Sequence, residues 1–213
     1  TLRNRRYNIS EIGSGLLGFT KGLAKKLLIA DSLYSLNSAV RNTPIDELSA
    51  AGAWLGIIAY ILCLYFTLSG FSDMSCGLCR CFGMKFPNSF NYPLFTKKIR
   101  VFVSGWHIQL IHWFRKYITT PFSANFENPY VNKLIFVCVW TITGMWYGFS
   151  SGAAFWGMLL GIAVVIENKL NNQKRFRPNG IIYTMLTITL ITVFLAQGSI
   201  SRGFKYIGIM FGG

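Results

Sequence analysis

Long apolar runs alternate with short polar and basic segments along most of the chain. A helix that crosses the hydrocarbon core of a bilayer needs about 20 mainly apolar residues. The runs predict four membrane helices, over Leu48–Ser69, Leu134–Phe149, Ala153–Ile166 and Ile181–Ala196. The short turn 150–152 makes the middle two a helical hairpin, and a polar break from Gln197 to Lys205 precedes a last apolar run. This pattern predicts an all-α, polytopic membrane protein.

The first part of the chain has a different, amphipathic pattern. Residues 12–30 are mainly apolar but contain Lys21, Lys25 and Lys26 near helical spacing. Three lysines at the centre of a bilayer would be costly, so the stretch predicts an interfacial helix with its lysines extended to the headgroups. A second short helix is expected over 31–40. Residues 1–47 are therefore interpreted as interfacial helices, and 48–213 as membrane helices.

A third pattern, aromatic and basic, covers the stretch from Thr96 to Tyr117. Its Trp and Tyr residues, with flanking Lys and Arg, are typical of interfacial depth. We expect a broken or re-entrant helix here, which must be buried in protein or line a wet cavity. The surrounding region 65–121 contains both histidines of the chain, and the remaining helices are expected to hold it in place.

Composition and charge agree with a membrane protein. The 213 residues are 52% hydrophobic, and the net charge of +14 is concentrated in blocks between apolar runs. Basic blocks in loops indicate the cytoplasmic side, which places 80–100 and 167–178 there. A nucleic-acid partner is not expected, because it would need a basic face on a soluble surface. The chain is interpreted as one multi-pass domain of the cell membrane, 1–213, and as the C-terminal half of a longer protein.

Three of the five cysteines, Cys76, Cys79 and Cys81, are clustered in an expected turn between Met74 and Phe82. A zinc site would need a second Cys or His pair at a familiar spacing, and none is present. The alternative is that these small residues pack near a helix end. No metal site is predicted, and an odd number of cysteines does not suggest a disulfide framework.

Few residues are candidates for chemistry. His107, at membrane depth, is either a general base or a neutral ring bonded to backbone at a helix contact. His112, five residues later, falls on another helix face and is interpreted as interfacial. Asp73 is either functional or a helix cap or ion-pair partner. No G-x-S-x-G elbow, Walker loop or dinucleotide loop is present, so a soluble hydrolase or nucleotide enzyme has no support.

A series of strings in the same order resembles the membrane-bound O-acyltransferase superfamily, in particular its bacterial branch for alginate O-acetylation and teichoic-acid D-alanylation. The strings are SGFSDM at 69–74, FGMKFPN at 82–88, FNYP at 90–93, WHI at 106–108, GMWYG at 144–148 and FWG at 155–157. Order and spacing hold over most of residues 15–170, which resemble the C-terminal half of a family member.

The resemblance implies transfer of an acyl group from a donor on one side of the membrane to a hydroxyl on the other. It implies no permanently bound cofactor and an acyl-CoA or acyl-carrier thioester as co-substrate. The implied acceptor is an extracytoplasmic polysaccharide or similar hydroxyl compound, with an extracytoplasmic acyltransferase as partner. His107 matches one family histidine. The residues expected to contact substrate are Asp73, Asn91, Trp106 and Trp146.

The chain departs from the family pattern at the expected active site. The family's more invariant histidine is Tyr147 here, and a phenol is a poor base at neutral pH. Ser104 and Gly105 replace two family arginines. Three readings stay open: an O-acyltransferase that uses His107 with Tyr147 as donor to the acyl carbonyl, a non-catalytic binding or assembly member, and a channel or transporter component. In the first, His107 faces the interior near Tyr147 and Asp73.

Overall fold

The part of the chain that the structure describes is built from helices, without strands. This computed structural model describes residues 9–124, 128–172 and 180–212. The α-helices in these ranges are α1 (Ile9–Ala24), α2 (Asp31–Asn42), α3 (Ala50–Cys81), α4 (Ile99–Gly105), α5 (Ile108–Phe114), α6 (Thr120–Ser123), α7 (Pro129–Tyr147), α8 (Ser151–Asn172), α9 (Ile181–Gln197) and α10 (Ile200–Met210). The all-α prediction is confirmed. The predicted basic start, 1–8, and the end of the basic loop, 173–178, lie outside the described residues.

Two of the described helices, α3 and α8, are long and apolar enough to cross a membrane. The helix α9 is apolar but shorter, and α7 was also predicted as a span. The short turn between α7 and α8 confirms the predicted helical hairpin. The number of membrane crossings and their orientation remain predictions.

The helix α3 corrects the predicted turn between Met74 and Phe82. It continues through all three clustered cysteines and ends at Cys81. The reason is its contact with α1, in which glycines of both helices face each other: a Cβ on Gly77 would lie 2.6 Å from the carbonyl oxygen of Gly15, and one on Gly22 would lie 2.5 Å from that of Gly70. Small residues let two helix backbones approach this closely. The glycines are therefore packing residues of a longer helix.

The interfacial lysines also differ from expectation. Residues 9–42 are helical throughout, with a π-helical turn, Lys25–Ala30, between α1 and α2. Lys25 Nζ lies 2.5 Å from Asp73 Oδ2 and donates to Ser69 Oγ at 3.0 Å. Lys26 pairs with Asp31. Both lysines bind carboxylates of the protein, so their ammonium groups do not need to extend to the lipid headgroups.

The predicted broken helix is present, and its break falls at Trp106 and His107 between α4 and α5. At the C-terminal end, however, the predicted polar break from Gln197 to Lys205 is wrong. Gly198, with φ of 66°, ends α9 in the left-handed conformation, and α10 begins at Ile200. The turn therefore needs only two residues, since glycine adopts this conformation without strain.

The larger of two apolar cores surrounds the broken helix. It joins buried residues of α4, α7, α8 and α9, among them Phe102, Trp140, Trp156, Leu160 and Ile188. The smaller core joins α3, α9 and α10 around Ile57, Val193 and Tyr206. The larger core thus holds the end of α4 against the α7–α8 hairpin.

Candidate active site

The candidate site lies where the chain leaves α4 and enters α5. His107 has φ of 49° and ψ of 52°, a left-handed conformation that a non-glycine residue rarely adopts. The preceding loop holds this break on both sides: the Ile108 N–H donates to the Ser89 carbonyl at 2.7 Å, and the Asn91 N–H donates to the Gly105 carbonyl at 3.0 Å. A strained residue that the surroundings fix in this way is a candidate for function.

The hydroxyl of Tyr147, at the end of α7, contacts the side chains of both Trp106 and His107. The Trp106 indole Nε1–H donates to Tyr147 Oη at 3.0 Å, and His107 Nδ1 lies 3.2 Å from the same oxygen. Indole nitrogen is only a donor, so the tyrosine oxygen accepts from Trp106 and keeps its own proton for another partner. Trp106 is 6% exposed, so this hydrogen bond is shielded from solvent.

Aromatic rings fix the orientation of both polar side chains. The Phe90 ring is stacked on the His107 ring, with centroids 5.8 Å apart and planes 18° apart. The Trp156 ring of α8 meets the Tyr147 ring edge to face, with centroids 5.1 Å apart. A small cavity of about 10 Å³ lies between these groups, and its lining includes Thr143 and Ile111. The side chains of His107, Trp106 and Tyr147 are therefore closely packed.

A larger cavity of about 400 Å³ adjoins this small one. The two share Val103, Ile111, Trp140 and Thr143 in their walls. The larger cavity is mainly apolar, and Arg100 and Arg115 also line it. Its volume is large enough for part of a small acyl compound, and Arg100 in its wall lies in the first turn of α4.

The structure brings together some of the predicted site residues. His107, Tyr147 and Trp106 form one hydrogen-bonded group, as expected for the first two. No described contact joins Asp73 to His107. Asp73 is paired with Lys25 and lines a separate cleft of about 940 Å³ between α1 and the end of α3. Asp73 therefore has an ion-pair partner, and its contact with substrate stays a prediction.

Two further candidates do not face the group. Trp146 is 67% exposed, because neighbouring residues of a helix point about 100° apart and Tyr147 takes the inward direction. Asn91 is exposed and serves the site through its backbone N–H to Gly105. A direct contact of either side chain with substrate stays untested. His112 is likewise exposed.

The clustered cysteines make packing contacts. Cys76 Sγ lies 3.8 Å from the Pro87 carbonyl oxygen, and Cys81 Sγ lies 3.6 Å from that of Ile12. Within the described ranges, no group of three or more His, Cys, Asp or Glu residues could hold a metal ion. These two contacts support the packing alternative for Cys76 and Cys81.

Sequence reasoning missed Phe90 and Trp156, whose rings contact the site, and Glu167, which accepts a hydrogen bond from the backbone of α4. Phe90 and Trp156 were seen only as parts of motif strings, and nothing in their spacing indicated which rings they would meet. Glu167 was interpreted as the polar end of a helix. An acidic residue directly after a long apolar run is a signal that the sequence does offer. The structure shows that this acid is buried, which is rare for a glutamate.

No family model matches the chain. Curated relatives do match it over most of its length. The probable alginate O-acetylase AlgI of Pseudomonas putida is 29% identical over 98% of the chain and 43% of the relative. The peptidoglycan O-acetyltransferase of Helicobacter pylori is 29% identical over 99% and 41%, and the teichoic acid D-alanyltransferase of Bacillus subtilis is 25% identical over 78% and 45%. The chain thus spans about two fifths of the length of the relatives that it matches.

Proposed function

Because the chain is homologous to membrane-bound O-acyltransferases over nearly its whole length, we propose that it carries the reacting groups of such an enzyme. The observation that carries this proposal is the contact of one tyrosine oxygen with both Trp106 and His107. The three residues come from two of the strings on which the resemblance rests, and they meet at a strained break in the chain.

In the proposed reaction, His107 is the general base. Its Nδ1–H donates to Tyr147 Oη, so that Nε2 keeps a free lone pair. The nitrogen Nε2 then takes the proton of the acceptor hydroxyl while the hydroxyl oxygen attacks the acyl carbonyl carbon. A base whose second nitrogen is held by a hydrogen bond has a fixed tautomer and orientation. This arrangement assigns to Tyr147 the task of orienting the imidazole.

Tyr147 has a second proposed task. Its oxygen accepts from Trp106 and from His107, which leaves the phenol proton to donate to the acyl carbonyl oxygen. That oxygen gains negative charge when the tetrahedral intermediate forms, and a fixed donor stabilises it. When the intermediate collapses, the carbon–sulfur bond of the thioester breaks, and the imidazolium returns its proton to the thiolate. Atoms and charge then balance without a bound cofactor.

The names of the relatives and the two cavities support a proposal for the substrates. The matching relatives are named for alginate, peptidoglycan and teichoic acid, which supports an extracytoplasmic polysaccharide, or a similar hydroxyl compound, as acceptor. We assign an acetyl group as the acyl unit, with acyl-CoA or an acyl-carrier thioester as donor. The 400 Å³ cavity beside Arg100 is the proposed donor path, and an extracytoplasmic acyltransferase is the proposed partner. The enzyme is a multi-pass protein of the cell membrane.

A second candidate is a non-catalytic member of the same family. Two observations favour it: tyrosine stands at the position of the more invariant family histidine, and the cavity between His107 and Tyr147 is closed at about 10 Å³. Such a protein would bind a polysaccharide or assemble with a transferase without turning over a thioester.

Turnover with a labelled donor separates the two candidates. The protein in detergent or nanodiscs is given acetyl-CoA or an acetylated carrier, labelled in the acetyl group, together with alginate, peptidoglycan fragments or teichoic acid. The proposal predicts that ester label on the polysaccharide increases in step with released thiol. Polysaccharide binding without ester or thiol release, for every donor and acceptor pair, would favour the non-catalytic candidate.

A further inference from the structure

A buried carboxyl group of α8 contacts the start of α4, the helix that leads to the candidate site. Glu167 of α8 is 2% exposed, and no described Lys, Arg or His forms an ion pair with it. Its Oε2 accepts a hydrogen bond from the backbone N–H of Arg100 at 2.9 Å, while Oε1 has no hydrogen-bond partner among the residues that the structure describes. Burying a carboxyl group with one satisfied oxygen is costly. Because this cost needs a compensating role, the hydrogen bond to Arg100 is the first indication of what Glu167 does.

That bond caps the helix that leads to His107. Arg100 lies in the first turn of α4, where backbone N–H groups have no partner within the helix. The residue before α4, Lys98, provides no side-chain cap. Glu167 supplies the missing acceptor from another helix, and a carboxyl group there also complements the positive end of the helix dipole.

The capped end and the candidate site lie at opposite ends of one contact between α4 and α8. Four buried residues of α8 recur at helical spacing, namely Trp156, Leu160, Val164 and Glu167. Three buried residues of α4 recur in the same way, namely Ile99, Phe102 and Val103, and Trp106, directly after the helix, continues the row. The polar bond to Arg100 closes one end of this contact. At the other end, the Trp156 ring packs on the Tyr147 ring, and the Trp106 indole N–H donates to the Tyr147 hydroxyl.

We propose that Glu167 is a positioning residue that sets where α4 sits along α8, and thereby sets the distance from His107 to Tyr147. Apolar surfaces alone allow two helices to slide, and one residue corresponds to about 1.5 Å along a helix axis. A hydrogen bond to one backbone N–H is directional and permits a single position. The inference rests on the proposed roles of His107 and Tyr147.

Two variants of the whole chain test the acceptor oxygen. Glu167→Gln keeps an oxygen that can accept from Arg100, and Glu167→Leu keeps similar bulk without one. We expect Glu167→Gln to retain kcat within about threefold. Glu167→Leu should lower kcat by about 10²-fold with little change in KM for the acceptor, because misplacement by about 1 Å can cost that much. The matched control is Tyr206→Phe, which loses a buried hydrogen bond to the Ala53 carbonyl in the smaller core and should keep its kcat.

A second readout does not depend on acyl transfer. His107 and His112 are the histidines of the chain, so in a His112→Gln background diethyl pyrocarbonate reports on His107. We expect His107 to be modified several-fold faster in Glu167→Leu, because an imidazole that Tyr147 no longer holds moves out of the packed site and exposes its Nε2 lone pair to the reagent. In Glu167→Gln and Tyr206→Phe the rate should equal that of the background.

The outcomes separate this inference from the proposed function. A faster reaction of His107 only in Glu167→Leu supports the inference even if the wild type transfers no acyl group, a result that would reject the proposed function alone. A folded Glu167→Leu variant with unchanged His107 reactivity and unchanged kcat would overturn the inference. If that variant does not fold, Glu167→Gln remains decisive, since accelerated modification of His107 in the folded Gln variant would also overturn it.

Discussion

At the scale of single residues, the site depends on one strained position and one hydroxyl. The left-handed conformation of His107 ends the row of inward-facing side chains of α4 and turns the imidazole toward α7. The phenol of Tyr147 is a poor base in water, but it can both accept from Nδ1–H and donate to a substrate. Replacement of a family histidine by Tyr147 therefore need not remove the chemistry, provided that His107 is the base.

The hydroxyl of Tyr147 can be tested alone. Tyr147→Phe keeps the ring against Trp156 but removes the acceptor for Trp106 and His107 and the proposed donor to the acyl carbonyl. We expect kcat to fall by about 10²–10³-fold, as when one oxyanion donor is lost. The control Tyr206→Phe also removes one buried tyrosine hydroxyl and should retain its kcat. Equal kcat values for wild type and Tyr147→Phe would contradict both roles assigned to this hydroxyl.

Some of these residue contacts were predictable from the sequence and others were not. The resemblance put His107 and Tyr147 in matching strings, so their proximity could be expected. The bond from Trp106 and the stacked ring of Phe90 depend on the break at His107 and on the loop that holds it. The break requires a positive φ at His107, a conformation that histidine does not favour. A histidine in the sequence therefore does not predict a break at its position.

At the scale of helices, the apolar pattern located the elements better than their ends. The α7–α8 hairpin and the break in the aromatic stretch were expected, because short turns and mixed polarity are local signals. The ends of α3 and α10 were misplaced. Contact with α1 keeps α3 helical through a Gly- and Cys-rich stretch, and tertiary contacts of this kind override local preference.

Close packing within the α7–α8 hairpin gives a test at this scale. A Cβ on Gly144 would lie 2.3 Å from the Ala153 carbonyl oxygen and 3.0 Å from the Gly157 Cα. Gly144→Ala must therefore separate the two helices, and we expect it to lower the free energy of unfolding by about 1–3 kcal/mol. Chemical denaturation in detergent measures this difference.

The control for that substitution is Gly208→Ala in α10, where nothing lies within 4 Å of the new Cβ. It should be neutral or slightly stabilising, since alanine favours helix over glycine. If Gly144→Ala were as stable as Gly208→Ala, the close contact of α7 with α8 would be wrong.

At the scale of the whole molecule, several chain segments meet at each of two ends. At one end, the Gly180 N–H donates to the Lys97 carbonyl, close to the Glu167–Arg100 bond. At the other, the Gly152 N–H donates to the Gly198 carbonyl beside the hairpin turn. Basic segments flank the first end in the sequence, which indicates the cytoplasmic side. The predicted orientation therefore depends on the distribution of Lys and Arg along the sequence.

Accessibility of single cysteines tests that orientation. In a chain whose five cysteines are replaced by serine, we expect Lys97→Cys and Arg175→Cys to react with a membrane-impermeant maleimide only after the cells are opened. Phe149→Cys in the hairpin turn, where the native side chain is 94% exposed, should react in intact cells. Residue 175 lies outside the described residues and tests the charge pattern alone. Labelling of position 97 or 175 from outside would overturn the topology.

The central claim is that His107 removes the proton of the acceptor hydroxyl. It is tested most directly by acyl transfer from labelled donor to polysaccharide, measured for wild type, His107→Ala and the control His112→Ala. His112 is exposed and should be dispensable. The account predicts activity near that of wild type for His112→Ala, and a loss of about 10²–10⁴-fold for His107→Ala, the usual contribution of a general base. Robust activity of a folded His107→Ala variant would contradict the account.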